Sequence, residues 1–511
     1  MSYQLVIPMT GKGNRFKAAG YKDLKPFISV AGKPIIQHIL EMYPNRSKTL
    51  FIVNTSDPES ERHKSILRDI SPGCEIAEIE DHKLGPSFAI HRAADFISTS
   101  LPVIVNYADF AGVWSEMDFL KLMLVNDACI LTYTGFHPHM LRNSKYAYVK
   151  KYGDLVTAIQ EKQSYTNEPM QEEASAGAYG FKNGKILLNA IEKQLRDKLD
   201  LNGEYYTSLT FVPIINDSMK VATLLMHKFY QWGTPEDLED WKSWYTFLNI
   251  LEASPGLNCE DLKCNSVILA GGKGKRLRGA TSVPKVLYQV QGKQLWHYSW
   301  VKGSKSKNTL VIREEYKDEV LQIKDRHTTL LALKGDTKGQ AETALIGLEQ
   351  CDVDASAINF LSCDNVVLDE NVFSQVSDSH EDVLYVWVSN NYQNARNQPE
   401  QFSWVSISDD GRIDGFYPKQ NPPLAESAVI IGNFTFSSFS LASRAISYCM
   451  KEVNWINNEA YLDKAIEFAL SNRVKVQPVF LNNFRAIGTS QEIQTFEYWL
   501  ECKSKRLLSW T

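Results

Sequence analysis

Short apolar runs alternate along this chain with stretches whose apolar residues recur at helical spacing. Gln4 to Met9 (QLVIPM) is an apolar run that gives way to Thr10-Gly11-Lys12-Gly13-Asn14-Arg15-Phe16. It predicts a strand feeding a glycine-rich turn. Ile35 to Tyr43 has helical spacing, and Thr49 to Val53 reads as a buried strand. Leu84-Gly85-Pro86 predicts a turn opening a helix that runs through Ile97, and Leu101 to Phe110 predicts a strand ending in Asp109. Trp241 to Leu251 predicts a further helix. Such alternation implies an α/β fold, a mostly parallel mixed sheet flanked by helices, in which ligands bind beyond the carboxyl ends of the strands. The glycine turn falls at that edge.

The pattern then begins again. Ser266-Val267-Ile268-Leu269-Ala270 runs into Gly271-Gly272-Lys273-Gly274-Lys275-Arg276, as the first strand runs into its turn. Leu24-Lys25-Pro26-Phe27 is answered by Val283-Pro284-Lys285-Val286-Leu287. Gly13 and Gly274 stand 261 residues apart (274 − 13), and Asp109 and Asp364 stand 255 apart (364 − 109). A period this long is the duplication of a whole domain, since solenoid repeats recur every 20–50 residues or so. The expected organisation is residues 1–252, a turn-rich linker over 253–263, and residues 264–511.

Composition narrows the classes of function. The 511 residues, 44% apolar and 23% charged, suit a soluble globular protein of two or more domains. A net charge of −5 gives no electrostatic case for nucleic acid or an anionic membrane as the main partner. The eight cysteines are scattered without a Cys-x-x-Cys pair, so they read as reduced and mostly buried residues. The apolar start is too short for a secretory leader, and no run approaches the roughly 20 apolar residues that span a bilayer. The default expectation is a cytoplasmic enzyme. A homo-oligomer is compatible with the sequence, which does not specify one.

The chemistry-bearing residues cluster around the two turns. A strand feeding a glycine-rich turn frees backbone N–H groups to face an anion, and glycine allows close approach. By itself such a turn serves packing at least as often. Arg15 on the turn and Lys25 beyond it would supply charge to a polyphosphate. Asp109, at a strand's carboxyl end, suits Mg²⁺, a hard cation that prefers oxygen ligands. The alternative is an aspartate that merely closes a turn. His137 and His139 stand two apart with no third metal ligand evident, and read as polar or packing residues of a loop.

LAGGKGKRL followed by VPKVL, and IPMTGKGNRF followed by LKPFISVAGKPII, resemble the signature of the sugar-phosphate nucleotidyltransferases, also called nucleotide-sugar pyrophosphorylases. The resemblance is to the form met in bacterial capsule and surface-polysaccharide gene sets, and covers nearly the whole chain, once per half. It implies two tandem Rossmann-like (GT-A-like) domains that bind a nucleoside triphosphate and a sugar phosphate, with Mg²⁺ as cofactor. It implies that Arg15 and Lys25, with Arg276 and Lys285 in the second half, act on the phosphates. Gly11, Gly13, Gly271, Gly272 and Gly274 would line the phosphate turn, and Gly85 and Gly339 the base pocket, although a glycine that only opens a turn explains Gly85 as well. Asp109 and Asp364 would carry the metal. Glu161, Lys162, Gly177 and Glu204, and Lys419 and Gly432 in the second half, would meet the acceptor.

The halves differ. Pro418 stands where the first half has Glu161 before its lysine. Many family members carry a second metal aspartate where this chain has Gln231 and, in the second half, Ala486. The first half is therefore expected to be the surer catalyst. The alternatives are one active domain joined to a regulatory one, or a non-catalytic nucleotide-binding regulator.

Overall fold

The computed structural model describes residues 2–253, 256–274, 283–321, 328–377, 381–390, 392–424 and 426–504. The chain forms two compact units, Met1–Tyr245 with Tyr498–Thr511, and Thr246–Glu497.

In the first unit the described strands of the main sheet are β1 (Gln4–Pro8), β2 (Lys48–Asn54), β3 (Glu75–Ile79), β4 (Val103–Asn106), β5 (Ala128–Tyr133), β6 (Tyr148–Tyr152), β7 (Leu155–Gln160), β8 (Ala174–Phe181) and β9 (Val221–Leu225). Their order across the sheet is β3-β2-β1-β4-β8-β5-β9-β7-β6. β1 pairs in parallel with β2 and β4, whereas β8 runs antiparallel between β4 and β5. The central strands are buried on both faces, which is why they read as unbroken apolar runs rather than alternating ones. On one face Val6, Leu50, Val105 and Ile130 pack with Ala89 and Ile90 of the helix Pro86–Arg92 and with Leu187 and Ile191 of the helix Gly184–Arg196. Each such aliphatic side chain, removed from water, contributes about 1.5–3 kcal/mol. Elsewhere Tyr498 donates its hydroxyl to the Phe229 carbonyl at 2.7 Å, and Trp499 stacks near Tyr230 and Trp244. These contacts tie the chain's last described turn of helix into the first unit.

The second unit repeats this plan with β10 (Cys264–Ala270), β11 (Lys307–Arg313), β12 (Thr328–Leu333), β13 (Ala357–Ser362), β14 (Val383–Ser389), β15 (Trp404–Ile407), β16 (Ile413–Tyr417), β17 (Ala428–Phe436) and β18 (Lys475–Phe480). The order is β12-β11-β10-β13-β17-β14-β18, with β15 paired to β16 and β17. β10 is again parallel to both neighbours, and β17 is again the antiparallel strand between two halves of the sheet. The α/β class read from the sequence, with a mixed sheet flanked by helices in each of two tandem units, is the one the chain adopts.

Three local features differ from the sequence reading. The strand expected to end in Asp109 stops at Asn106, because Asn106 turns its amide onto the Tyr107 carbonyl at 2.7 Å and the chain leaves the sheet there. Asp109 lies in the following turn, ahead of the short strand Phe110–Val113. The helix expected through Ile97 closes at Arg92 and is followed by a 3₁₀ turn at Ala94–Phe96. Cys259 and Cys264, expected reduced, form a disulfide, whereas the other six cysteines are free thiols. Within the expected linker, Leu257–Asn258 pairs with Val301–Lys302, and Leu257 and Cys259 are buried in the second unit's core. No described helix is long and apolar enough to cross a membrane.

Candidate functional site

In the first unit β1 delivers the chain into the turn Met9–Gly13, and the short helix Asn14–Ala18 follows. Gly13 sits at φ +63°, a left-handed conformation, and its Cα faces the Lys25 backbone nitrogen, to which an added Cβ would come within 3.9 Å. The turn therefore folds back over the 3₁₀ segment Lys25–Phe27, where Pro26 fixes the backbone. That fold aims Lys25 across the mouth of β4, so that its Nζ lies 3.2 Å from Asp109 Oδ2. The residues lining the resulting cleft of about 560 Å³ include Gly11, Gly13, Arg15, Lys25, Gly85, Asp109 and Glu204. Residues as far apart in sequence as Gly11 and Glu204, a separation of 193 (204 − 11), are thus brought to one wall.

Gly85 is glycine for two separate reasons. Its φ is +85°, and an added Cβ would stand 2.8 Å from the backbone nitrogen of Tyr205. Tyr205 N donates to the Leu84 carbonyl and Ser87 N to the Tyr205 carbonyl, so the 84–87 turn and the 204–206 segment are stitched together at that glycine. Gly177, at φ +95°, likewise lies against the Tyr107 ring, 3.2 Å from an added Cβ, while its carbonyl accepts from Tyr107 N. The turn at Gly85 is a packing requirement as well as a wall of the cleft.

Gly233 closes the floor. An added Cβ there would lie 3.3 Å from both Asp109 Oδ2 and Gln231 Nε2. The Gln231 amide therefore sits beside the Asp109 carboxylate; its Nε2 donates to the Tyr146 hydroxyl at 3.4 Å, and its buried Oε1 has no hydrogen-bond partner. The Asp109 carboxylate is the oxygen donor that the floor presents, and it suits one hard cation; the Gln231 atom nearest Gly233 is Nε2, so the unpartnered Oε1 would join the set only with the amide turned over.

The acceptor residues read from the sequence form a connected group. Lys162, at φ +59°, donates to the Tyr206 hydroxyl, lies 4.4 Å from the centre of that ring, and the hydroxyl in turn donates to Glu204. Glu161 accepts from Ser208 Oγ at 2.5 Å, and burial holds its carboxyl above the usual carboxylate range. His137 and His139 do not reach this group. They are buried among Tyr133, Phe229 and Tyr146, and burial pushes His137 down to about 4. Both pack among aromatic rings.

In the second unit Lys285 forms an ion pair with Asp364, which also accepts from Ser362 Oγ. The lining of a cleft of about 570 Å³ includes Gly271, Gly272, Gly274, Lys285, Gly339 and Asp364. Gly339 repeats the double constraint of Gly85: its φ is +142°, and an added Cβ would lie 2.7 Å from the Ala460 nitrogen. Arg276 lies outside the described residues. Lys419 and Gly432 border a neighbouring cavity of about 180 Å³ that also reaches Asp364. Lys419 repeats the left-handed φ of Lys162, at +49°, and lies 5.6 Å from the centre of the Tyr461 ring as Lys162 lies over Tyr206; it also donates to the Gln401 carbonyl at 2.9 Å.

Sequence reasoning missed Glu492. It is 6% exposed and its carboxylate accepts from the Gly488 and Thr489 backbone N–H groups, each at 2.9 Å, and from the Tyr392 hydroxyl. The signal was present: Thr489-x-x-Glu492 is a helix capping box, completed by Glu492 N donating to Thr489 Oγ1. The box brings a second carboxylate beside Gly488, whose added Cβ would lie 3.0 Å from Asp364 Oδ2 and 3.5 Å from Glu492 Oε2.

A family model described as nucleotidyl transferase matches residues 5–251, and one described as a MobA-like NTP transferase domain matches residues 266–424. The bifunctional protein GlmU of Clostridioides difficile (strain 630) is 24% identical over 230 residues, which are 43% of this chain and 46% of the relative. GlmU of Staphylococcus epidermidis is 24% identical over 242 residues, 45% of this chain and 49% of the relative. The chain thus spans about half the length of these curated relatives. Among solved structures, a nucleoside-diphosphate-sugar pyrophosphorylase from Vibrio cholerae RC9 aligns with TM-score 0.40 and 18% identity, covering 47% of this chain and 99% of that one. With both halves matched by models of this kind, the chain belongs to the nucleotidyltransferase family and carries two of its domains in tandem.

Proposed function

We propose that the first unit transfers a nucleotidyl group from a nucleoside triphosphate to a sugar phosphate, or to a related phosphorylated alcohol, and releases pyrophosphate. An oxygen of the acceptor phosphate attacks the α-phosphorus, the bond from that phosphorus to the bridging oxygen of the β-phosphate breaks, and pyrophosphate leaves with the electron pair. The product is an activated sugar, made in the cytoplasm for surface polysaccharide. The observation that carries this reading is the Lys25–Asp109 pair at the glycine turn, which recurs as Lys285–Asp364 in a separately folded unit.

The residues act by alignment and charge neutralisation, with no covalent intermediate. Lys25 meets the α-phosphate, and Arg15 the departing β- and γ-phosphates. Gly11 and Gly13 leave the turn's amides open to the triphosphate. Gly85 shapes the base pocket. Glu161, Lys162, Gly177 and Glu204 receive the acceptor, with Lys162 on its phosphate and Glu161 on a hydroxyl. Asp109 and the Gln231 amide oxygen would hold Mg²⁺, which when bound neutralises phosphate charge. In the second unit Arg276, Lys285, Gly271, Gly272, Gly274, Gly339 and Asp364 take the corresponding nucleotide roles, and Lys419 and Gly432 the acceptor roles.

A non-catalytic nucleotide-binding regulator is the second reading, favoured by the amide at Gln231 and the methyl at Ala486 where a second acid would stand. The experiment is a pyrophosphate-release screen on the full chain, with the four nucleoside triphosphates against sugar 1-phosphates and polyol phosphates. The proposal expects Mg²⁺-dependent release with at least one pair, abolished in Lys25→Ala. Saturable nucleotide binding without release under every pairing would favour the regulator.

A further inference from the structure

We propose that Asp23, Glu59 and His63 of the first unit, none of which lines the cleft, bind a divalent transition-metal ion, of which zinc matches the donor set best. Asp23 lies two residues ahead of Lys25. Glu59 and His63 lie one turn apart at the start of the helix Ser60–Ile70. One ligand atom from each of the three falls within 4.8 Å of the others.

The histidine is what distinguishes this group from an ordinary acidic patch. Its side chain is only 4% exposed, and its ring stacks on Phe27 with centroids 3.9 Å apart and planes 8° from parallel. Nδ1 lies 2.7 Å from Asp57 Oδ2, so the proton belongs on Nδ1, donated to that carboxylate. Nε2 is then left with its lone pair; it is buried, has no hydrogen-bond partner, and stands 3.9 Å from Glu59 Oε2. A carboxylate fixing the far nitrogen of a histidine is the arrangement that orients metal-bound imidazoles.

The competitor is Arg62, whose guanidinium pairs with Asp23 at 2.8 Å and with Glu59. A cation is thus already called for between these acids. Arg62 is 53% exposed, and exposed ion pairs contribute little, so it can swing into water when an ion arrives. One imidazole and two carboxylates form a borderline set suited to zinc, whereas Mg²⁺ takes oxygen ligands. Three protein donors leave a fourth position for water. Bound there, the ion would pin the segment carrying Asp23, Lys25 and Phe27 to the helix behind it.

The test is equilibrium dialysis of the metal-stripped full chain against Zn²⁺ in excess Mg²⁺, with metal analysis, X-ray absorption and hydrogen exchange. The expectation is one Zn²⁺ held by nitrogen and oxygen ligands, with slower exchange over residues 20–24. The double substitution D23N/E59Q alters only surface groups and should weaken binding at least tenfold. E61Q, on the same helix, should leave it unchanged. His63→Asn should also abolish it if that variant folds. Equal Zn²⁺ affinity in D23N/E59Q and the parent chain, sulfur ligation, or no retained Zn²⁺ would overturn the proposal.

Discussion

Lys25 Nζ and Asp109 Oδ2, 84 residues apart in the chain, stand 3.2 Å apart at the mouth of the first cleft. Both side chains are about a quarter exposed, at 24% and 29%, so the pair adds little to stability. On the proposed reading its value lies in placing a cation where the negative charge of the reaction gathers. Lys25→Ala should therefore cost within about 1 kcal/mol of stability by thermal unfolding. Pyrophosphate release by the first unit should fall roughly 10²- to 10³-fold, as expected for removal of one transition-state donor. Unchanged turnover would remove Lys25 from the chemistry.

The glycines separate structural from functional demand. Gly85→Ala forces a methyl to within 2.8 Å of the Tyr205 backbone at φ +85°, and Gly339→Ala repeats this against Ala460. Each should destabilise its unit by roughly 2–4 kcal/mol, seen as a lower unfolding midpoint. Gly11→Ala meets nothing within 4 Å. Its unfolding midpoint should be that of the parent, while nucleotide affinity should fall if, as proposed, that turn receives the phosphates, because the methyl would project into their place. A stable Gly85→Ala would contradict the backbone contact.

Stability should depend on pH through His137. Burial lowers it from its ordinary 6.5 to about 4, so the folded first unit keeps it neutral. Between these values the unfolded chain binds a proton that the folded chain refuses. Its share of stability is complete above about pH 6.5 and declines as pH falls towards 4. The gap of about 2.5 pKa units corresponds to a loss on the order of 3 kcal/mol across that window. His139 is shifted in the same direction by the same burial. Denaturant unfolding of His137→Gln between pH 7 and 4.5 should show a visibly flatter profile than the parent.

Gln231 supplies a test of ion binding. Its amide shares the cleft floor with Asp109 and its buried Oε1 has no hydrogen-bond partner, so on the proposed reading that oxygen, turned to the ion, should lower the Mg²⁺ concentration needed for turnover. Gln231→Leu keeps the volume but removes the oxygen, and the half-saturating Mg²⁺ concentration should rise roughly tenfold with the fold intact. An unchanged Mg²⁺ titration would exclude that oxygen.

Much of this arrangement was legible in the sequence, for a physical reason. Strands buried on both faces must be continuous apolar runs, and Gln4–Met9, Thr49–Val53 and Ser266–Ala270 are such runs. The turns were legible because glycine and a following basic residue stand there twice in the same order. What escaped were relationships settled by tertiary contact. Nothing local says that Leu84–Ser87 will be stitched to Tyr205, or that Asn106 will end its strand by bonding to the next carbonyl. Glu492 carried a capping signal, but its nearness to Asp364 depends on how the helix after Gly488 is laid against the sheet. The Asp23–His63 group is assembled from residues forty positions apart and has no sequence signature.

The second unit's role turns on whether Lys285 does what Lys25 does. Its pair with Asp364 is similarly shielded, at 21% and 24% exposed, and Gly339 is as tightly constrained as Gly85. Its acceptor side differs at one point: Pro418 cannot supply the hydrogen bonds of Glu161, although Lys419 keeps the left-handed φ and the tyrosine neighbour of Lys162. Glu492 brings a buried carboxylate instead. These differences favour retained nucleotide binding with a changed acceptor. In the full chain, Lys285→Ala should leave release from the first unit's best substrate pair within about twofold, since unlinked sites behave independently. It should also weaken one of two nucleotide-binding events seen by calorimetry. If instead Lys285→Ala alone abolishes all turnover and Lys25→Ala leaves it intact, the catalytic assignment of the two units is reversed.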